Sequence, residues 1–232
     1  METGRTRAVT QAVAMVDADA VPIAQAIAAN PSRYLDDKIT AIRPRTKELV
    51  TLAIIRLADN DPDGAAREMD HTRWKAQLTQ EERSWLWGVI GKRAAQKLQD
   101  NALTYFANGQ DRFMHSDHLA WKARAGLRAG AWGHVRDAIA AMAEAQRNEP
   151  VWVYWRARAL LALKEPDPVA AVAQARALYE SIASPKGFYE QLAMEELGRA
   201  VAAPPLPAPL TAQERETARR NPGLQRALAA IA

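Results

Sequence analysis

Cysteine is absent from the 232 residues, which excludes disulfides and thiol chemistry. It leaves the compartment open, because a large helical core needs no covalent staples. No window of 18 apolar residues occurs, so no membrane span is expected. The opening METGRTRAVT carries no apolar stretch of the kind found in a secretory leader; if the protein is exported, its leader lies outside this sequence. Charge of one sign is also scarce. Lys and Arg number 31 against 27 Asp and Glu, giving +4 with the signs interspersed, so there is no basic stripe and no nucleic-acid partner is expected. No Ser, His and Asp arrangement and no phosphate-binding glycine loop is visible, and no cofactor is implied. Strand-forming stretches are few.

What is present points to helices. The chain is 48% hydrophobic and rich in Ala, Leu, Arg, Gln and Glu, residues that lose least on entering a helix. Four aromatic residues recur at a spacing of 34: Trp87, Trp121, Trp155 and Tyr189. Each is followed four positions later by a small residue, Gly91, Ala125, Ala159 and Ala193. Residues at i and i+4 share one helix face, so one face recurs with each repeat, the mark of stacked helical hairpins. The four aromatics are expected to pack between neighbouring first helices. Domain counting by length is unsafe for such a stack, since each repeat touches only its neighbours.

Punctuation marks the elements. Pro44 opens a helix to about Asp59 whose apolar residues are Leu49, Leu52, Ala53, Ile55 and Leu57, and Asp61-Pro62 caps and starts its partner; Asp167-Pro168 repeats the device. Thr79 with Glu82, and Thr211 with Glu214, read as capping boxes. Helices are expected at roughly 6–29 (broken near Pro22), 32–42, 80–98, 100–108, 116–129, 131–146, 150–163, 168–183 and 187–198. The expected organisation is N-terminal helices over 1–43, a hairpin superhelix over 44–201, a proline-rich extended connector over 202–210 and the start of a further hairpin over 211–232. The helix from Pro222 reaches the last residue without a cap, as if cut short. The fold class is all-α, a right-handed superhelix of antiparallel hairpins.

An aromatic with a small residue four later, at period 34, resembles the first helix of tetratricopeptide repeats, although Leu103, Ala107, Asp137, Ala141, Ala171 and Ala175 depart from that family's second-helix pattern. A closer resemblance lies in WVYWRARALLAL from Trp152 and GFYEQLAMEELG from Gly187. These are similar to the W-x-YW-x-AR-AL and GFYG-x-LA-x-x-ELG helices in the superhelical domain of soluble lytic murein transglycosylases. Trp152, Tyr154, Trp155, Ala157, Arg158, Ala159 and Leu160 match the first. Gly187, Phe188, Tyr189, Leu192, Ala193, Glu196, Leu197 and Gly198 match the second, while Glu190 departs from its second Gly. The similarity runs over roughly 43–232.

The resemblance implies a periplasmic enzyme that cleaves the muramic acid to glucosamine bond of peptidoglycan without water, leaving a 1,6-anhydro ring. One Glu in a separate lysozyme-like C-terminal domain acts as acid and then base. That domain's Glu-Ser signature with a following Arg-Phe does not occur here, so this chain is expected to be the helical part alone and inactive, with glycan strands and its own catalytic domain as partners. The alternative is a tetratricopeptide-like adaptor holding a peptide or protein in a concave groove.

Four groups of side chains invite a chemical reading. Glu180-Ser181 is the one Glu-Ser pair, and it is read as an ordinary helix surface. His115 and His118, with Asp111 and Asp117, could approach a metal, but Ser116 or Asp117 capping the next helix explains them more simply, and no metal site is expected; His71 and His134 stand alone. Trp74, Trp85, Trp132 and Trp152 lie off the 34-residue register, and any left exposed would suit stacking on sugar rings. Arg124, Arg128, Arg156 and Arg158, with Trp152, form the candidate surface for glycan, its anionic peptide stems or the catalytic domain.

Overall fold

The computed structural model describes residues 6–38, 40–163, 166–200 and 207–231. Every regular element among them is helical. Most of the expected connector, residues 202–206, lies outside the described residues, and residues 207–210 are non-helical. The chain divides into two compact units, residues 1–199 and 200–232.

The first unit begins with α1 (Thr6–Val16), a 3-10 turn, α2 (Val21–Ala29) and α3 (Pro31–Asp36), followed by α4 (Pro44–Asn60), α5 (Pro62–Met69) and α6 (Thr72–Gln77). It continues through α7 (Gln80–Gln96), α8 (Ala102–Ala107), α9 (Ser116–Ala129), α10 (Trp132–Ala141) and α11 (Glu144–Arg147) to α12 (Pro150–Ala162), α13 (Pro168–Ile182) and α14 (Phe188–Glu196). Their starts follow the sequence. Asp61 accepts the Gly64 amide at 2.8 Å with Pro62 in the first turn, and Asp167 accepts the amides of Val169 and Ala170, both at 3.0 Å. Thr79 and Glu82 exchange side-chain to amide hydrogen bonds of 3.2 and 2.7 Å. Gly130 closes α9 with φ of 65°, a left-handed conformation that costs glycine little, and turns the chain directly into α10.

Packing is local along the stack. Helix α4 lies on α5 and α7, α7 on α8 and α9, α9 on α10, α10 on α12, and α12 on α13 and α14. The buried apolar residues accordingly form three successive clusters, from Val9 to Ile90, from Ala94 to Ala159, and around Tyr154, Tyr179 and Ala193. That is a row of interfaces rather than one core. Glycines permit the closest crossings: a Cβ on Gly91 would sit 2.8 Å from the ring of buried Phe106 in α8, and one on Gly126 would sit 2.9 Å from Val135 in α10.

Three sequence expectations are corrected. The helix expected over 32–42 ends at Asp36, because Arg43 is extended ahead of Pro44 and the Ala41 amide is held by the Gln77 side chain. The helix expected over 131–146 breaks at Met142 and Ala143, where the backbone turns extended and Met142 enters the core at 3% exposure. Helix α6 was not expected; Trp74, fully buried, anchors it by donating to Glu68 Oε1 at 2.7 Å.

The second unit contains α15 (Ala212–Arg220) and α16 (Pro222–Ile231), which contact each other. Thr211 accepts the Glu214 amide at 3.2 Å and Glu214 accepts the Thr211 amide at 2.8 Å, the second expected capping box. No described side chain of this unit is buried.

Candidate functional site

The five residues predicted to form a contact surface are not equivalent. Arg124 on α9 is exposed, with its guanidinium 5.1 Å from the Trp121 ring and 5.3 Å from the Trp152 ring, a cation stacked on two indoles. Arg128, one turn on, donates to the Leu98 carbonyl at 2.6 Å and to Asp100 at 3.0 Å, closing the C-terminal end of α7. Arg158 donates to Glu196 Oε1 at 2.6 Å, and the Tyr154 hydroxyl donates to the same oxygen at 3.2 Å, which ties α12 to α14. Burial raises the pKa of the Tyr154 phenol above its ordinary value, so it stays a donor over the physiological range.

Arg156 is half-buried and has no hydrogen-bond or ion-pair partner among the described residues. It lines a cleft of about 490 Å³ between α10, α12 and α13, with Arg136, Gln174 and Ser181 as polar groups and Leu160 and Leu178 as apolar floor. Arg136 is held by its neighbour Asp137 at 2.8 Å. An unpaired guanidinium over an apolar floor suits a carboxylate that carries a small aliphatic group. Arg136 and Gln174 were missed because they lie on second helices with no periodic signal to mark them.

Trp152 is 2% exposed, so its ring is covered by its neighbours and Arg124 and offers no platform to a sugar; its place in the predicted surface is corrected. Trp74 is fully buried, and Trp85 and Trp132 are half-buried against His118 and Trp155 at 6.0 and 6.5 Å between ring centres. On the 34-residue ladder, Trp155 and Tyr189 meet ring to ring across neighbouring first helices at 6.4 Å. Trp87 instead stacks at 6.1 Å on Tyr105 of its own hairpin. The period repeats a face of the helix, while the partner that covers each ring differs between repeats.

Glu180 is exposed and accepts from Arg176 at 3.2 Å, and the Ser181 hydroxyl donates to the Leu178 carbonyl at 2.7 Å. Around DRFMHSDH, the cap of α9 is His115 rather than Ser116 or Asp117. His115 Nδ1 accepts the Asp117 amide at 3.2 Å, and His118 Nδ1 accepts the His115 amide at 3.3 Å. Asp111 takes Lys122 at 2.6 Å, and Asp117 pairs with Lys92. Imidazole lone pairs and carboxylates are thus spent on the backbone and on lysines. His118 is fully buried above Gly88, which fixes the close approach of α9 to α7.

Two polar arrangements, one buried around Glu68 and one part-buried around Asp63, hold neighbouring helices together. Glu68 receives Trp74, Arg73 at 2.6 Å and His71 at 3.5 Å. Asp63 accepts the Tyr105 hydroxyl at 2.5 Å and the Asn101 amide at 3.0 Å, bonds that hold its carboxyl below the usual range. Desolvation, followed by the bond to Asp63, pushes Tyr105 up to about 12. No described helix is long and apolar enough to cross a membrane.

The geometry is that of an all-helical stack of hairpins with outward arginines and a groove, and this class of fold recurs in known structures. The chain superposes on the lytic transglycosylase Slt of Pseudomonas aeruginosa, solved as an inactive variant, with a TM-score of 0.65 and 22% identity, covering 89% of this chain and 33% of that one. It superposes on the 70 kDa soluble lytic transglycosylase of Escherichia coli with a TM-score of 0.63 and 20% identity, covering 91% of this chain and 34% of that one. It thus has the fold that these enzymes carry over about a third of their length. No family model and no curated protein matches the sequence.

Proposed function

We propose that this chain is the non-catalytic helical part of a soluble lytic transglycosylase, a periplasmic enzyme of the cell wall. In this reading it positions peptidoglycan strands beside a catalytic domain that lies outside residues 1–232. One coincidence carries the reading: the transglycosylase-like motifs seen in the sequence fall on α12 and α14 of a chain whose fold matches those enzymes over about nine-tenths of its length. Tyr154, Arg158 and Glu196 belong to those motifs and join the two helices, so the motif residues serve the architecture. Arg124 and Arg156 would meet the carboxylates of peptide stems, while Arg128 and Arg158 hold helices in place.

An adaptor that binds a peptide in a concave groove draws on the 34-residue period alone. Incubation of the chain with purified sacculi, followed by mass spectrometry of the soluble fraction, tests the non-catalytic part. No anhydro-muropeptides are expected, and their release would overturn it.

A further inference from the structure

The N-terminal end of the first unit carries a cleft of about 590 Å³ between α2, the segment after α3 and the first turns of α4. Three cationic side chains line it, Lys38, Arg43 and Arg45, together with Tyr34 and Thr46, and no carboxylate among the described residues does. Its apolar wall includes Ile23 and Leu49. The segment that carries Lys38 and Arg43 is fastened along its length. The Lys38 amide donates to the Leu35 carbonyl at 3.0 Å, the Ala41 amide donates to the Gln77 side chain, and Arg43 is extended ahead of Pro44.

The positive charge at this cleft is not balanced by the chain. Arg45 has an acidic partner, Asp17, at 2.8 Å from outside the lining. Lys38 instead places its ammonium 5.0 Å from the centre of the Tyr34 ring, and the Arg43 guanidinium makes no hydrogen bond or ion pair among the described residues. Asp36 and Asp37 precede Lys38 in the sequence, but they are exposed and lie outside the lining. Two cations therefore remain without a counter-charge. The start of α4 adds to them: Arg43 gives it no side-chain cap, and the amides of Arg45 and Thr46 in its first turn have no partner among the described residues.

A cleft lined by one sign of charge and walled by apolar groups concentrates anions, because the walls keep the field from spreading through water. A carboxylate would neutralise one of the two open charges. A phosphate monoester matches both, since it carries nearly two negative charges at neutral pH and offers three acceptor oxygens to donors that arrive from different elements. Arginine forks and a lysine point charge both suit phosphate. The apolar wall and the Tyr34 ring suit an organic substituent on that phosphate better than a bare ion. Burial raises the pKa of the Tyr34 phenol, so it faces the ligand as a neutral donor.

We propose that this cleft binds a phosphate monoester, with the phosphate among Lys38, Arg43, Arg45 and the first amides of α4, and the organic part against Tyr34, Ile23 and Leu49. The site does not rest on the murein reading. It is remote in sequence from the motifs on α12 and α14 and needs neither a glycan nor a catalytic domain.

The test is a titration of the ¹⁵N-labelled chain with phenyl phosphate, in about 150 mM sodium chloride to screen loose surface attraction. The backbone amides of Lys38, Arg45 and Thr46 should shift saturably. Phenyl sulfate, alike in shape with a single charge, should bind roughly tenfold more weakly. Lys38→Ala/Arg43→Ala removes two side chains that hold no ion pair, so the thermal midpoint should stay while phenyl phosphate binding falls by about tenfold or more. Arg219→Ala/Arg226→Ala removes the same charge from α15 and α16 and should leave binding unchanged. Equal affinity for the two phenyl esters, shifts that never saturate, undiminished binding by Lys38→Ala/Arg43→Ala, or an equal loss in Arg219→Ala/Arg226→Ala would overturn the proposal. Co-sedimentation with phosphatidylcholine vesicles containing phosphatidic acid separates the two sources of a monoester. Retention that depends on Lys38 and Arg43 places the group on a lipid headgroup; no retention, with phenyl phosphate still bound, places it on a soluble molecule.

Discussion

Replacing Gly91 with Ala probes the claim that small residues set the spacing of the stack. Gly91 lies in the interior of α7, and the added methyl would sit 2.8 Å from two ring atoms of Phe106 and 2.9 Å from a third. Phe106 is fully buried, so the ring cannot swing away and α8 must shift by several tenths of an ångström. Overpacking of this kind costs about 1–3 kcal/mol, against a gain of about 1 kcal/mol from replacing glycine inside a helix. Gly133, in the first turn of α10, has nothing within 4 Å of its missing Cβ, so Gly133→Ala keeps a helix gain of about 0.5 kcal/mol. The two variants should therefore differ by about 0.5–2.5 kcal/mol, roughly 1–10 °C in Tm for a chain of this size. Urea denaturation followed by circular dichroism reads the difference. Adding Phe106→Leu to Gly91→Ala should recover about 1 kcal/mol relative to additivity. A Gly91→Ala chain at least as stable as Gly133→Ala, or strict additivity with Phe106→Leu, would refute the packing argument.

Trp152→Ala should destabilise the first unit by about 3–5 kcal/mol in urea, since the ring is buried; a loss under about 1 kcal/mol would mean that the ring is a surface feature after all. The phenol of Tyr105 has a folded pKa of about 12 against an ordinary 10.0. A raised pKa means the folded chain holds the proton more tightly, so this stability is complete below the lower value and is lost as pH climbs through the higher one. Tyr105→Phe should therefore flatten part of the wild-type fall in denaturation midpoint across that alkaline window, and parallel curves would contradict it. Thr211→Ala removes the cap of α15 and should cost its helix about 1 kcal/mol, visible as faster amide exchange at residues 212–220.

Local chemistry made much of this fold readable in advance. Pro44, Asp61-Pro62, Asp167-Pro168 and the Thr-x-x-Glu boxes start helices where the sequence places them: Asp61, Asp167, Thr79 and Thr211 each accept an amide within three residues, and Pro44 brings a φ already suited to a first turn that needs no amide there. The early end of α3 and the break after α10 were invisible because both depend on distant partners: Gln77 holding the Ala41 amide, and a core that accepts Met142. The same division holds at the surface. Arg124, Arg128, Arg156 and Arg158 look alike along the sequence, and only the fold separates two that are tied to Asp100 and Glu196 from two that face outward. Trp152 looked available for a ligand because its motif suggests nothing about Arg124 and the core around it.

Retention on peptidoglycan is the most direct test of the proposed role. The chain should co-sediment with purified sacculi, and retention should weaken as salt rises. Arg124→Ala/Arg156→Ala should lose a large part of it while remaining folded. A chain that stays in the supernatant at low salt, or a double arginine variant retained as strongly as wild type, would contradict the account.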